Sequence, residues 1–297
     1  MNRTEIFLSF FDFLFGFTIA ELKCREYLAR TKFLSRTFAV PLPLIIYGDK
    51  TIDGEFPHMA HIGYKKNGSK EIKWACGGSL ISELFILTAA HCTDASEFGM
   101  PRIIRLGTNN VKSRDNVQRR SIVQIIPHPK RKGYYHDIAL LRLNRPVIFS
   151  YYIRPACLNT CKECQFTEAI ATGFGIEEFT SVNMSDHLMK TNLKIYSNKN
   201  CSKIYAQTIK EILPLGVRSS QICAGSNQGN DTCHGDSGGP LQIKLAQDFN
   251  IYRIIGITSF GLFCGQPNTP SFYTRISRYV DWIEKVVWKR KLFSIIS

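Results

Sequence analysis

A glycine-rich stretch places one serine among the groups that a nucleophile needs. Residues 230–240 read NDTCHGDSGGP, with Ser237 near the end. A serine hydroxyl attacks well only when a neighbouring base takes its proton, and the charge that develops on the substrate oxygen needs backbone N–H donors. Glycines beside Ser237 allow the tight turn that presents such donors. By itself the stretch fits either a nucleophile turn or an ordinary glycine-rich loop.

Two other segments supply the partners that a serine nucleophile requires. His91 lies in the sequence TAAHC at residues 88–92, and Asp137 opens the apolar run DIALL at residues 137–141. A histidine base, oriented by a carboxylate and placed against a serine, forms the catalytic triad of acyl transfer. The three segments together favour the interpretation of Ser237 as a nucleophile.

In the order His91, Asp137, Ser237, the motifs resemble those of chymotrypsin-type, trypsin-like serine proteases, over residues 45–288. The resemblance implies that His91 takes the proton from Ser237 and later gives it to the leaving amine. It also implies that Asp137 fixes the tautomer of the imidazole, and that the N–H groups of Gly235 and Ser237 form the oxyanion hole.

The resemblance extends to a primary specificity pocket. Asp231, six residues before the nucleophile, stands at the floor of that pocket, where a carboxylate selects arginine or lysine; a solvated loop aspartate is the alternative. Ser259 and Gly261 belong to a segment expected to pair with the extended substrate as an added strand. Ser271 replaces a second glycine of trypsin-like enzymes. Its side chain is expected to narrow the pocket, so the choice between arginine and lysine stays open.

The amino-terminal region has the composition of a targeting segment followed by a pro-segment. The apolar run Ile6–Ala20 is shorter than the roughly twenty residues of a bilayer span. We therefore predict a secretory signal peptide over residues 1–20, with an uncleaved signal anchor as the alternative. A basic pro-segment follows at residues 21–44, and the protease domain is expected over residues 45–297.

The resemblance implies activation by cleavage between Leu44 and Ile45. In the family, the new amino terminus pairs with the carboxylate before the nucleophile, here Asp236. A pocket that holds a carboxylate does not suit leucine, so a separate activating protease is expected. The arrangement resembles insect proteases of the snake type, which normally carry a clip domain upstream. Since the pro-segment has one cysteine, Cys24, either that domain is absent or the sequence is truncated.

The ten cysteines indicate an oxidised, extracellular protein. Carried over by motif position, the resemblance implies the disulfides Cys24–Cys157, Cys76–Cys92, Cys201–Cys223 and Cys233–Cys264. The first of these would keep the pro-segment attached after cleavage. Cys161 and Cys164 lie outside the family pattern and form either a local bridge or two free thiols, because no second ligand pair stands at zinc spacing.

Short apolar or alternating runs separated by turn residues predict an all-β fold. They are Gly78–Ile81, Phe85–Ala89, Ile103–Leu106, Ile122–Ile126, Ile138–Leu143, Ala169–Thr172, Leu193–Tyr196, Pro240–Lys244, Ile254–Ser259 and Ser271–Ile276. The resemblance implies two six-stranded antiparallel barrels, with the triad in the cleft between them. A carboxy-terminal helix is predicted because Val280, Ile283 and Val287 share one helical face.

The chain has 297 residues, and 38 basic against 24 acidic side chains give a net charge of +14. It has three basic runs, at Lys112–Arg120, Lys130–Lys132 and Lys289–Lys291. These runs either form solvated surface or attract acidic polysaccharide or a membrane. We expect no cofactor and no metal site; Thr108 replaces the acidic residue that starts the calcium loop of related enzymes. N-x-Ser/Thr sequons at Asn67, Asn183, Asn200 and Asn230 permit glycosylation.

These observations predict a secreted serine endopeptidase zymogen that cleaves after arginine or lysine, with an extracellular proteolytic cascade as one setting. The expected partners are protein substrates, an activating protease and serpin-type inhibitors, and not nucleic acid. The activated form is expected to be a monomer of disulfide-linked chains. A catalytically silent homologue that binds partners is the alternative. Such a protein usually lacks one residue of the triad, whereas this sequence keeps His91, Asp137 and Ser237.

Overall fold

The computed structural model describes the chain over residues 16–35, 49–94, 98–176, 184–206, 208–227, 232, 235–246, 249–262 and 266–288. Over these residues the chain forms fourteen β-strands and four α-helices. None of the described helices has the length and apolarity needed to cross a membrane.

Six antiparallel strands close into a first barrel, in the order β2-β3-β4-β7-β6-β5. They are β2 (Met59–Lys65), β3 (Lys73–Ser82), β4 (Phe85–Thr88), β5 (Met100–Leu106), β6 (Gln118–Pro127) and β7 (Ala139–Leu143). Inward-facing aliphatic side chains, among them Ile62, Leu80, Ile86, Ile104 and Leu140, are fully buried in its core. Their burial removes the apolar surface of all six strands from water, which stabilises the closed sheet.

A second barrel is built from β9 (Glu168–Gly173), β10 (Met189–Tyr196), β11 (Gln221–Gly225), β12 (Pro240–Ala246), β13 (Phe249–Phe260) and β14 (Ser271–Arg275). These strands pair antiparallel in the order β9-β10-β11-β14-β13-β12, and β12 returns to β9. The short β1 (Asp49–Lys50) adds to β10, and β8 (Cys157–Leu158) pairs parallel with β13. The prediction of two six-stranded antiparallel barrels is confirmed.

Each of the ten predicted strands overlaps an observed one, but the two-residue strands β1 and β8 and the longer strands β2 and β11 were missed. Strand β2 is buried on both faces from Met59 to Tyr64, so its sequence shows no alternation of polar and apolar residues. Strand β11, QICAG, is also entirely buried. Small and polar residues in such strands carry little β-propensity, and only packing by neighbouring strands decides their conformation.

The helices are α1 (Ile19–Ser35), α2 (Asn198–Ile204), α3 (Ile209–Ile212) and α4 (Val280–Val287). Helix α4 was predicted, and it buries Val280 and Ile283 as its periodicity requires. Helix α1 was not predicted, since it lies across the expected boundary between signal peptide and pro-segment. That boundary stays a prediction.

Helix α1 is held against the first barrel and α4 by specific contacts. The Ala20 N–H donates to Glu284 Oε1 at 2.8 Å, and the Tyr27 hydroxyl donates to the Ile81 carbonyl at 3.2 Å. At its start, Thr18 and Glu21 exchange hydrogen bonds in a capping box. The helix therefore depends on tertiary contacts as well as on its own cap.

Four disulfides join described cysteines: Cys24–Cys157, Cys76–Cys92, Cys161–Cys164 and Cys201–Cys223. Three of the predicted pairs are confirmed, and the Cys161 and Cys164 thiols form the local bridge rather than staying free. The fourth predicted pair, Cys233–Cys264, lies outside the described residues.

Candidate active site

His91 begins a short 3-10 turn that follows the buried strand β4. The turn is closed by the Thr93 hydroxyl, which donates to the Ala90 carbonyl at 2.7 Å. Two links hold the turn on the first barrel: the Cys76–Cys92 disulfide and a 2.6 Å hydrogen bond from the Tyr64 hydroxyl to the Cys92 carbonyl. The His91 side chain keeps 26% of its surface exposed, so the imidazole remains accessible to a substrate.

Asp137, just before β7, is fully buried and aims its carboxylate at His91. Its Oδ2 lies 2.8 Å from His91 Nδ1, and its Oδ1 accepts the His91 backbone N–H at 2.9 Å. The Ser259 hydroxyl donates to Oδ2 at 2.5 Å. On the main chain, the Thr274 hydroxyl donates to the Asp137 carbonyl at 2.8 Å. The carboxylate is thus bonded to the histidine turn of the first barrel and to β13 of the second, and the main chain of Asp137 is bonded to β14.

The hydrogen bonds keep the Asp137 carboxyl ionised although it is buried. Burial by itself raises the pKa of Asp137, but the hydrogen bond and charge of His91, together with the Ser259 hydroxyl, outweigh it. The pKa of Asp137 therefore lies below its ordinary value. A permanent negative charge at Oδ2 favours a proton on His91 Nδ1, which leaves Nε2 free to accept one.

The Ser237 turn joins the two barrels. The Gly77 N–H of β3 donates to the Ser237 carbonyl at 2.8 Å, and the Gly238 N–H donates to the Thr258 carbonyl of β13 at 2.9 Å. Gly238 has φ +77°, and a Cβ there would collide with the Thr88 hydroxyl at the end of β4. Only glycine allows this approach, which brings Ser237 to the segment that carries His91.

Gly235 and Ser237 are the residues that the resemblance assigns to the oxyanion hole. Gly235 has φ +100°, and a Cβ there would lie 2.9 Å from Gly175 Cα, so a larger residue is excluded. Among the described residues, neither the Gly235 nor the Ser237 N–H donates to a backbone carbonyl. Their assignment to an oxyanion hole stays a prediction.

Asp236 is buried against Gly173 and Gly175, which have no side chains and so leave room for its carboxylate. The Gly175 N–H donates to Asp236 Oδ1 at 2.8 Å, and a Cβ at Gly175 would lie 2.6 Å from Asp236 Cγ. The predicted cleavage residues Leu44 and Ile45 lie outside the described residues, so the pairing of Asp236 with a new amino terminus is not tested.

The predicted substrate pocket is described in part. Ser259 and Ser271 are buried, and Gly261 is exposed. Ser271 Oγ lies 2.7 Å from the Cβ position at Gly261, so the Ser271 hydroxyl occupies space on the wall beside that glycine. Asp231, the predicted floor, is outside the described residues.

Two features of the site escaped sequence reasoning. The first is the hydrogen bond of the Ser259 side chain to Asp137, whereas the expected pairing of the Ser259 segment with substrate as an added strand stays a prediction. The second is Tyr134, whose ring centroid lies 6.3 Å from that of His91 and 4.4 Å from that of Phe260. No local pattern identifies either contact. Both join segments that are far apart along the chain.

One group of described residues has metal-ligand spacing, Cys76, His91 and Cys92. The two cysteines form a disulfide, and His91 Nδ1 is hydrogen-bonded to Asp137. All three side chains therefore already have other partners. The group gives no support for a metal site.

Comparison with known proteins agrees with the class that this fold and site define, the trypsin-like serine endopeptidases. The family model for trypsin matches residues 45–283, and the chain therefore belongs to the trypsin family.

Serine protease snk of Drosophila melanogaster is 43% identical over 289 residues, which cover 92% of this chain and 66% of that protein. Serine protease Hayan of the same fly is 36% identical over 258 residues, 84% of this chain and 40% of that protein. Phenoloxidase-activating factor 1 of Holotrichia diomphalia is 36% identical over 268 residues, 83% of this chain and 71% of that protein. The chain thus spans less than two thirds of the first two relatives.

Proposed function

We propose that this chain is a secreted serine endopeptidase, made as a zymogen, that hydrolyses peptide bonds after arginine or lysine. The observation that carries the proposal is the buried carboxylate of Asp137, bonded through both oxygens to His91. A buried carboxylate is costly unless it is paired, and here its partner is the partly exposed imidazole of His91. His91 follows the end of β4, which the glycine-flanked Ser237 turn approaches through Gly238. That arrangement suits acyl transfer.

In the proposed reaction, His91 Nε2 takes the proton from Ser237 Oγ as Oγ forms a bond to the scissile carbonyl carbon. Asp137 stabilises the imidazolium that results, and the N–H groups of Gly235 and Ser237 donate to the oxyanion. The imidazolium then gives its proton to the leaving amine as the C–N bond breaks. Water attacks the acyl-enzyme with His91 again as base, and Ser237 regains its proton.

The proposed pocket explains the preference for basic side chains. A carboxylate at Asp231 would pair with a guanidinium or an ammonium group, whereas an uncharged side chain would leave it without a partner. The Thr232 and Tyr273 hydroxyls lie 2.9 Å apart, which anchors the residue next to Asp231 on β14. The Ser271 hydroxyl beside Gly261 supports a narrowed pocket.

The proposed activation relies on Asp236. Cleavage after Leu44 would create an amino terminus at Ile45 whose positive charge pairs with the buried carboxylate and orders the oxyanion hole. The hydrogen bond from the Gly175 N–H to Asp236 Oδ1 supports this proposal, because it holds the carboxylate in a defined buried position. Leucine before the cut points to an activating protease that is distinct from this enzyme.

After activation, the pro-segment would remain part of the enzyme. The Cys24–Cys157 disulfide and the contacts of α1 with Ile81 and Glu284 support a two-chain monomer. One relative is named a phenoloxidase-activating factor, and this name favours a place in a proteolytic cascade. We expect an extracellular setting, with protein substrates and serpin-type inhibitors as partners.

The decisive experiment uses secreted protein with an engineered cleavage site after Leu44. Before and after cleavage, it is assayed on chromogenic peptides that end in Arg, Lys, Phe or Leu, with Ser237→Ala as the blank. We expect turnover of the Arg and Lys peptides only after cleavage and only with Ser237 present. Turnover of Phe or Leu peptides instead would contradict the role of Asp231. No turnover with a correct Ile45 terminus would favour a silent homologue that binds partners.

A further inference from the structure

The turn between β2 and β3 forms one side of a concave site on the first barrel, outside the cleft described above. The site has a volume of about 560 Å³. Four cations line it: Lys65 at the end of β2, Lys66 and Lys70 from the turn, and Arg102 from the neighbouring strand β5. All four are exposed, so the site offers concentrated positive charge within reach of a ligand.

These cations have no anionic partners in the described part of the chain. None of the four forms an ion pair with a described carboxylate, and the acidic residue of the same turn, Glu71, is paired with Lys73 at 2.6 Å. Like charges gathered around a concavity raise its positive potential and attract anions to it. The chemistry that fits is therefore a ligand with several negative charges.

The other side chains of the site favour a polypeptide over a polysaccharide. Ile122, half-buried on β6, contributes an apolar surface, and Ser121 and Asn67 contribute neutral hydrogen-bonding groups. A uniformly anionic sugar polymer has no apolar group to pack against Ile122. A peptide with acidic and aliphatic residues can pair with the cations and also pack against the isoleucine.

The position of the site relative to Ser237 also favours a polypeptide. Strand β3 leaves the basic turn at Lys73 and reaches Gly77, whose N–H donates to the Ser237 carbonyl. Four residues of extended strand span about 13 Å. A polypeptide that lies in the cleft can therefore extend to the basic turn within a few residues.

We propose that this site binds an acidic segment of a polypeptide substrate, away from the bond that is cut. The inference rests on the proposed function only in calling that polypeptide a substrate. Binding itself requires no catalysis, and it is tested separately.

The binding test uses the full chain with Ser237→Ala and a short fluorescent peptide of Asp, Glu and Leu, without Arg or Lys. Fluorescence anisotropy gives its affinity at low and at physiological salt. We expect the combined change Lys66→Glu, Lys70→Glu and Arg102→Glu to weaken binding by about tenfold or more. A matched peptide with Asn and Gln in place of the acids should bind weakly to both proteins.

The control carries the same change of charge on the second barrel: Lys199→Glu, Lys203→Glu and Lys210→Glu, three exposed positions on α2 and α3. It should keep nearly the affinity of the parent. Equal losses in the two variants would overturn the proposal, because the binding would then reflect only the net charge of the protein. An unchanged affinity in the basic-turn variant would overturn it as well.

Two further outcomes would overturn the proposal. One is a heparin oligosaccharide that binds the basic turn more tightly than the acidic peptide does, which would assign the site to a polysaccharide. The other is a glycan on Asn67, found by mass spectrometry of the secreted protein, because the first sugars would cover the site.

A kinetic arm separates failure of this inference from failure of the proposed function. The activated enzyme is given two Arg peptides, one short and one extended beyond the cut by an acidic tail. We expect the tail to lower KM, and the basic-turn variant to lose that gain while it cleaves the short peptide as the parent does. If the parent enzyme does not cleave the short peptide, the proposed catalysis is contradicted instead.

Discussion

The first barrel holds two histidines in opposite surroundings, His91 on the turn after β4 and His61 in the buried strand β2. His91 keeps part of its surface exposed and bonds a carboxylate. His61 is buried, neither of its ring nitrogens has a partner among the described residues, and its ring stacks on Phe174 at 4.5 Å and packs near Trp74 at 5.1 Å. The partner of a histidine and its access to solvent, and not the residue type alone, therefore decide whether its ring can take part in chemistry.

The two settings differ in their electrostatics. At His91, the buried carboxylate of Asp137 lies 2.8 Å from Nδ1 and orients the ring. At His61, burial lowers the pKa to about 3, and the nearby charge of Arg105 adds to the effect. His61 therefore behaves as a neutral aromatic side chain of the core at physiological pH.

The largest effect is expected when the partner of His91 loses its charge. Asp137→Asn keeps the shape of the side chain, but the amide donates to Nδ1 and so favours the wrong tautomer. We expect kcat/KM on an Arg peptide to fall by roughly four orders of magnitude, the size established for this change in the chymotrypsin triad. The measurement is made on the activated enzyme. A loss of less than tenfold would contradict the role given to Asp137.

Removing the imidazole at the other site should change stability in acid and leave catalysis alone. Between the ordinary pKa near 6.5 and about 3, the unfolded state binds a proton at His61 that the folded state does not. The free energy of unfolding therefore falls as pH falls through this window. His61→Phe, which keeps an aromatic ring between Phe174 and Trp74, should relieve about 2–3 kcal/mol of this penalty at pH 4.5.

The test of His61→Phe compares urea unfolding of variant and parent at pH 4.5 and pH 7.5. The difference in stability between the two pH values should be smaller in the variant, whatever the ring change costs by packing. An identical pH dependence in the two proteins would contradict the assignment. His58, whose pKa is lowered to about 4 by burial, should keep part of the acid sensitivity.

A smaller effect is expected from the hydroxyl that supports Asp137. Ser259→Ala removes the 2.5 Å bond to Oδ2 and leaves a buried oxygen with one donor fewer, which costs about 1–2 kcal/mol. We expect kcat to fall by about tenfold. Ser277→Ala is the matched control, since the buried Ser277 hydroxyl has no partner among the described groups. Equal losses in the two variants would indicate general damage to packing.

The class of protein could be predicted from local sequence because its chemistry needs short, contiguous motifs. The glycines around Ser237 meet steric demands of a turn that no other residue satisfies, and that demand is visible in the sequence. The strands with alternating or β-branched residues were predicted as well. Strands β2 and β11 were not, because complete burial erases alternation, and α1 was not, because its contacts with Ile81 and Glu284 lie far along the chain.

The order of the motifs is visible in the sequence, and the family resemblance that they carry implied three of the observed disulfide pairs. Which other side chains contact His91 and Asp137 depends on how the two barrels fold and pack. Ser259 of the second barrel reaches Asp137 across the junction of the two barrels, and the Tyr134 ring lies near His91 and near Phe260 of the second barrel. The His61 ring packs against rings from two other segments. Hydrogen bonds and stacking act over a few ångströms in space. Residues separated by tens of positions therefore meet only when the barrels close.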